Sequence, residues 1–376
     1  MKKEKRKYMN KQELDLLNIL KKETYENQRC LSEISGYSLG KVNTSLSELV
    51  KRGYLHADYR LTEQAEELFE ENRPEQAIIL AAGAGMRMIP INTEVSKGML
   101  EVKGETLVER LIKQLKEKGI HKITIVVGFM KEQYEYLIDE YGVELVYNKE
   151  YAVKNNLFSL AKVKDRLENA YIVPCDLWCR KNPFSETELY SWYMIDDTSD
   201  EDSTIRMNRK MELKAVGGAE DGNHMVGIAY INKESAGVLK QNISGMTEHR
   251  RYYNSFWEDA AMEKEKMILF PKEVKKGEVL EINTLEQLRD LDENSDQLNS
   301  ELLDIISDTL SCELREITEI EPLKKGMTNR SFRFRCGEKR YIMRVPGEGT
   351  DKMINRSQEY DVYQVIGPKG ICDPVR

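Results

Sequence analysis

Residues 80–88 read Leu-Ala-Ala-Gly-Ala-Gly-Met-Arg-Met, and Lys97 follows ten residues after Arg87. Glycines at 83 and 85 let the backbone turn tightly and bring its amides close to an anion, while the Arg87 guanidinium offers a planar fork that fits phosphate oxygens. Lys97 adds a second cation from the next segment. This is the chemistry of polyphosphate binding, although the glycine spacing matches neither GxxxxGK[ST] nor GxGxxG. The four histidines, His56, His121, His224 and His249, have no metal-ligand spacing, so zinc or histidine-base chemistry is not expected.

Such a loop must be delivered by a buried element, and the apolar run Ala77–Ala82 ahead of it predicts a strand. Pro74 marks a boundary. Beyond it the pattern predicts helix Leu107–Lys118, strand Lys122–Val127, helix Lys131–Glu140, strand Glu144–Tyr147, helix Leu157–Val163 and strand Ala170–Val173. Strands alternating with helices at this spacing indicate an α/β domain with a mostly parallel sheet, whose ligands belong at the carboxyl ends of the strands.

The chain has 376 residues, 40% hydrophobic and 32% charged, enough for two or three domains with their own cores. Its longest apolar runs fall far short of the roughly 20 residues a membrane span needs, and the lysine-rich start leads into no signal-like core. The six cysteines form no CxxC pair and read as reduced thiols, so a cytoplasmic location without membrane association is expected. A net charge of −8 argues against nucleic acid as the ligand of the whole chain.

Residues 12–72 carry helical periodicity in three pieces, then a polar hairpin and a fourth helix, an order that resembles a winged helix-turn-helix with Ser38 capping its third helix. DNA or a protein could be the partner of this module, residues 1–73. Residues 1–75 hold 14 Lys plus Arg and 14 Asp plus Glu, a difference of zero, and the third helix sets Lys41, Lys51 and Arg52 against Glu48. DNA-reading faces carry a clear basic excess, so an interaction or regulatory module is favoured.

In order, "LAAGAGMRM", "SKGMLEVKGETLVERLIKQLKEKGI", "ITIVVGFMKEQYEYL", "YNKEYAVKNNLFSLAKVKD" and "AYIVPCDLW" resemble the MobA-like nucleotidyltransferase family, and within it the choline-phosphate cytidylyltransferases. The resemblance covers about residues 76–288 and fades between 184 and 226. It implies a Rossmann-like sheet and Mg²⁺-dependent transfer of a nucleotidyl group from CTP to phosphocholine, with no covalent enzyme intermediate. Leu80, Ala81, Ala82, Gly83, Gly85 and Arg87 match the loop that holds the nucleoside triphosphate, and Lys97 matches the lysine that neutralises phosphate during transfer. Ser96 stands where relatives commonly have proline. Asn156 and Ser159 match a stretch near the nucleotide, though an Asn-Asn pair equally suits a helix N-cap. Asp176 matches the Mg²⁺-binding aspartate.

The family pattern near the domain's end reads E-I-D-T-x-E-D-L, and here it is "EINTLEQL", so Asn283 stands at the second metal position without a negative charge. Glu281, Glu258 or Asp259 could compensate. A choline head group is a quaternary ammonium, best held over aromatic faces. The segment "HRRYYNSFWEDAA" offers Tyr252, Tyr253, Phe256 and Trp257 beside Glu258 and Asp259, in the place the resemblance gives to acceptor recognition. Two alternatives remain open: a sugar-1-phosphate nucleotidylyltransferase, and a nucleotide-sensing regulator without turnover.

From about Glu316, "GMTNRSFRF", "YIMRVPG" and "NRSQEYDVYQVI" resemble the start of a choline kinase or aminoglycoside-phosphotransferase lobe, which implies Arg344 as the nucleotide-contacting basic residue and Glu359 as its helix partner. The catalytic and metal-binding aspartates of such kinases would lie past Arg376, so an incomplete lobe is expected. The resulting division is 1–73, 74–295 and 296–376.

Overall fold

The computed structural model describes residues 9–23, 25–91, 94–201, 203–208, 210–215, 221–263, 267–293, 295, 298, 300–323, 329–346 and 355–369. Contacts group the chain into two compact bodies, Met1–Gly83 with Val108–Glu281, and Ala84–Leu107 with Ile282–Arg376.

In the first body, strand β1 (Gln76–Ala81) lies inside a seven-stranded sheet, so Ala77, Ile78, Ile79 and Ala81 are all buried. A strand covered on both faces reads as a continuous apolar run rather than an alternating one. Helix α5 (Leu107–Glu117) leads to β2 (Lys122–Val127), α6 (Tyr136–Tyr141), β3 (Glu144–Tyr147), α7 (Asn156–Ala161) and β4 (Ala170–Pro174). The second half adds β5 (Trp192–Asp200), β6 (Gly222–Ile231), α8 (Lys233–Thr247), α9 (Trp257–Met262) and β7 (Phe270–Val274). The sheet order is β7-β5-β6-β4-β1-β2-β3, and only β6 runs antiparallel to its neighbours. The expectation of a mostly parallel α/β sheet is met.

The helix expected at Lys131–Glu140 is split. A 3₁₀ turn, Lys131–Tyr134, precedes α6, which stops at Gly142 in the left-handed region. Helices α7, α8 and α9 close one core: Leu157, Phe158, Leu239, Ile243 and Trp257 pack with Ile78, Ile172 and Tyr193 from the sheet.

Among the described residues, four helices precede the sheet in the same body: α1 (Lys11–Lys22), α2 (Gln28–Ser35), α3 (Leu39–Lys51) and α4 (Glu63–Glu71). Each has a polar N-cap, Asn10, Asn27, Ser38 and Thr62 respectively, so a first-turn amide of each helix finds a side-chain acceptor. A single bridge, Leu55 to Leu61, stands between α3 and α4 where the sequence predicts a hairpin. Leu16, Leu17, Leu31, Val42, Leu46, Leu49 and Phe69 form the helical core, and Leu189 from the segment entering β5 is buried in it. The Asp15 carboxylate accepts hydrogen bonds from the hydroxyls of Tyr37 and Tyr190. The helices therefore dock directly on the sheet rather than hanging from a linker.

The second body holds α10 (Leu285–Leu291), α11 (Glu301–Leu310) and an antiparallel sheet of β8 (Ile317–Pro322), β9 (Asn329–Cys336) and β10 (Lys339–Pro346), followed by α12 (Arg356–Ile366). Of the hairpin "GMTNRSFRF", residues 326–334, which the kinase resemblance sets over ATP phosphates, residues 326–328 lie outside the described residues and the rest belongs to β9. Among the described residues no helix is long and apolar enough to cross a membrane.

Candidate active site

In the first body, Leu80, Ala81 and Ala82 bring β1 to its carboxyl end, where Gly83 is exposed. Gly128, after β2, sits against this end. A Cβ there would lie 2.6 Å from the Ala82 carbonyl oxygen and 2.7 Å from Tyr151, so only glycine fits. The Ala82 carbonyl also accepts from the Phe129 amide at 3.1 Å. Reasoning from sequence missed Gly128; its signal was a glycine closing the apolar run of β2.

Asp176 follows β4 and is half-buried. The next residues, Leu177–Cys179, pair antiparallel with Val279–Glu281. Arg110 on α5 fastens this turn: its Nε and Nη2 donate to the Cys179 carbonyl at 2.9 and 2.7 Å, and its guanidinium lies 4.8 Å from the Trp178 ring. Arg110 carried no recognisable signal in the sequence, because its partner is a main-chain oxygen 69 residues away.

The Asn-Asn pair divides its work. Asn155 is the N-cap of α7, and the Asn156 Oδ1 accepts from the Trp257 amide at 2.8 Å, tying α7 to the acceptor segment. Ser159 is buried and its hydroxyl accepts from Asn148 at 3.0 Å. Both candidate nucleotide contacts thus have structural partners in this chain.

The segment expected to recognise the acceptor does not present its rings together. Trp257 is 1% exposed and packs on Tyr193 in the core, whereas Phe256 is 55% exposed. Tyr253 meets Phe158 edge-on at 5.4 Å, and the Lys154 ammonium lies 4.6 and 4.5 Å from the two ring centres. The Asp259 carboxylate accepts from the Phe256 amide at 3.2 Å and so caps α9. Glu258 is buried, with Oε1 accepting from the Tyr193 hydroxyl at 3.0 Å and Oε2 without a hydrogen-bond partner among the described residues. Burial pushes its carboxyl up to about 7.

In the second body, Gly85 adopts φ +56°, the left-handed conformation that glycine takes without penalty. Arg87 follows on a 3₁₀ turn and is exposed, with Met88 and Ile89 buried beside it as anchors. The Lys97 stem passes 3.4 Å from where a Cβ on Gly85 would stand, and its Nζ donates to the Asn283 Oδ1 at 2.6 Å. Asn283 is itself held by its amide, which donates to the Gln287 Oε1 at 2.6 Å. The donor chemistry at Asp176, a hard carboxylate, suits a divalent cation. That of Asn283 does not, because its oxygen already carries the Lys97 ammonium. Arg344 and Glu359, expected as partners, are paired at 2.8 Å.

Residues 77–187 match the MobA-like NTP transferase domain. A choline-phosphate cytidylyltransferase from Streptococcus pneumoniae is 31% identical over 223 residues, which are 58% of this chain and 97% of that protein. The chain belongs to the MobA-like NTP transferase family. This nucleotidyltransferase is also similar to a choline-phosphate cytidylyltransferase from Haemophilus influenzae, 26% identical over 56% of this chain and 93% of the relative. The solved structure of the CTP:phosphocholine cytidylyltransferase from S. pneumoniae covers 58% of the transferase and 98% of its own chain at 30% identity, with a TM-score of 0.54. A large part of this chain lies outside these matches.

Proposed function

We propose that this transferase moves the cytidylyl group of CTP onto phosphocholine, giving CDP-choline and pyrophosphate. The observation that carries the reading is the match along nearly the whole length of a choline-phosphate cytidylyltransferase. The second body supports it: the amide at Gly85, the Arg87 fork and the Lys97 ammonium are suited to hold the triphosphate and take up the charge that builds on it. A phosphate oxygen of the acceptor attacks the α-phosphorus in line, and pyrophosphate leaves. Mg²⁺ is the implied cofactor, held through Asp176; when bound it neutralises phosphate charge. For the acceptor's cation, Phe256 is the exposed ring of the segment, whereas the Tyr253 and Phe158 faces already hold the Lys154 ammonium, which would repel a second cation.

We read the N-terminal helices as a docked regulatory or protein-binding module rather than a DNA reader. On α3, Lys51 pairs with Glu48 at 3.6 Å and Arg52 pairs with Glu13 at 3.1 Å, which occupies two of the three cations a phosphate backbone would need. The three-part division at 73 and 295, the kinase-like character of the last part and a cytoplasmic setting belong to the same proposal. The test is pyrophosphate release from each of the four ribonucleoside triphosphates, with phosphocholine and glucose 1-phosphate as rival acceptors. Release with CTP and phosphocholine alone is expected; turnover of glucose 1-phosphate would move the assignment to the sugar nucleotides.

A further inference from the structure

The second body contains a short chain of contacts that ends on the amino group of Lys97. Thr284 caps α10 by accepting from the Gln287 amide at 3.2 Å, and the Gln287 side chain returns to accept from the Thr284 and Asn283 amides at 3.0 and 2.6 Å. Two main-chain donors on one side-chain oxygen fix the backbone of Asn283, and the residue is buried. Its Oδ1 accepts from Lys97 at 2.6 Å. On the other side, the Lys97 stem lies along Gly85, where a Cβ would stand 3.4 Å from Cγ and 3.6 Å from both Cβ and Cδ. A flexible four-carbon side chain is thereby confined at its stem and at its head.

We propose that Asn283 is a positioning residue for Lys97: a neutral acceptor that holds the ammonium in place without cancelling its charge, and not a ligand for the divalent cation. A carboxylate at this position would also hold the lysine, but as an ion pair it would offset much of the charge that Lys97 offers to a phosphate. An amide oxygen costs the lysine none of its charge. The same oxygen is a poor place for Mg²⁺, since a second cation on it would be repelled by the ammonium 2.6 Å away. This inference rests on the triphosphate-binding part of the proposed function and is independent of the acceptor.

The experiment is a double-mutant cycle read by nucleotide binding in the presence of EDTA, using the nucleoside triphosphate that the wild type binds best. Asn283→Leu should weaken metal-free binding by about tenfold, the loss expected when a charge-assisted hydrogen bond no longer orients the cation. Lys97→Met should weaken it at least as much, and Asn283→Leu combined with Lys97→Met should be no weaker than Lys97→Met alone. Additive losses would overturn the proposal, as would unchanged metal-free binding in Asn283→Leu accompanied by a higher Mg²⁺ requirement for turnover. Asn283→Asp keeps shape and acceptor and guards against a folding defect in the leucine variant. It should weaken metal-free binding at an unchanged thermal midpoint, whereas tighter Mg²⁺ use with undiminished metal-free binding would return position 283 to the metal. Absence of any metal-free binding by the wild type would also count against the proposal. A wild type that binds CTP but ignores phosphocholine would refute the acceptor assignment and leave this inference standing.

Discussion

Arg87 and Lys97, proposed to meet the triphosphate, are each fixed by neighbours. Arg87 projects from a turn whose flanks, Met88 and Ile89, are buried, so the fork is presented by an anchored backbone. Arg87→Ala and Lys97→Ala should each lower kcat/KM by on the order of 100-fold, the usual effect of losing one preorganised charge-stabilising donor, while circular dichroism stays unchanged. Near-normal turnover in either variant would remove that residue from the reaction. Gly85→Ala is a different kind of change. It forces alanine into φ +56° and sets a methyl against the Lys97 stem, so it should cost about 1–2 kcal/mol in urea unfolding and raise KM for CTP. Gly83, Gly85, Arg87 and Lys97 stand out in the sequence as a candidate phosphate set because residue type and spacing alone suggest that chemistry. The tether from Asn283 was not, since 186 residues separate the partners.

Among the elements, α9 shows how one short helix serves both core and surface. Its first residue, Trp257, is buried in the sheet-facing core, which is why the aromatic cluster seen in the sequence does not form one cage. Glu258 follows, buried with its carboxyl raised to about 7 from an ordinary 4.5. Between these values the folded chain holds a proton that the unfolded chain has released, so the stability contributed by this group is present at low pH and lost as pH rises through about 7. The difference amounts to about 3 kcal/mol at full effect. Glu258→Gln should therefore gain stability over the wild type at pH 8 and little at pH 5, measured by thermal or urea unfolding across that range. A constant difference at both pH values would mean that Glu258 ionises normally in the folded state. Phe256 remains the exposed ring of the segment, and Tyr253 shares its face with Lys154. Phe256→Ala should raise KM for phosphocholine while leaving KM for CTP unchanged; an unchanged KM for phosphocholine would remove this ring from the acceptor site.

For the molecule as a whole, the N-terminal helices α1 to α4 and the seven-stranded sheet belong to one compact body. Leu189 is 4% exposed within the helical core, so Leu189→Ala should cost about 2–5 kcal/mol. The loss should appear in a single transition shared by the helices and the sheet; two separate transitions would show that the module folds by itself. Duplex binding tests the partner of the same module. If α3 read DNA, affinity would fall steeply with salt and with joint neutralisation of Lys41, Lys51 and Arg52. No salt-dependent binding is expected, because the nearest carboxylates, Glu13 and Glu48, already take two of these charges.

By itself the sequence determined what travels along the chain: the apolar run of β1 that had to be a buried strand, the strand and helix alternation to β4, the caps at Ser38 and Asn155, and the glycine turn at Gly85. These are local because a strand's hydrophobic period, a cap and a glycine turn are each written within a few neighbouring residues. Where one helix was predicted across Lys131–Glu140, a 3₁₀ turn intervened, a matter of backbone angles that periodicity does not encode. Only the tertiary structure decided which partners meet: Arg110 with the Cys179 carbonyl, Asn156 with the Trp257 amide, Leu189 with the helical core, and Lys97 with Asn283. Burial and hydrogen bonding between distant segments depend on how the chain returns on itself, and a tryptophan in a promising motif is claimed by the core when the larger free-energy gain lies there.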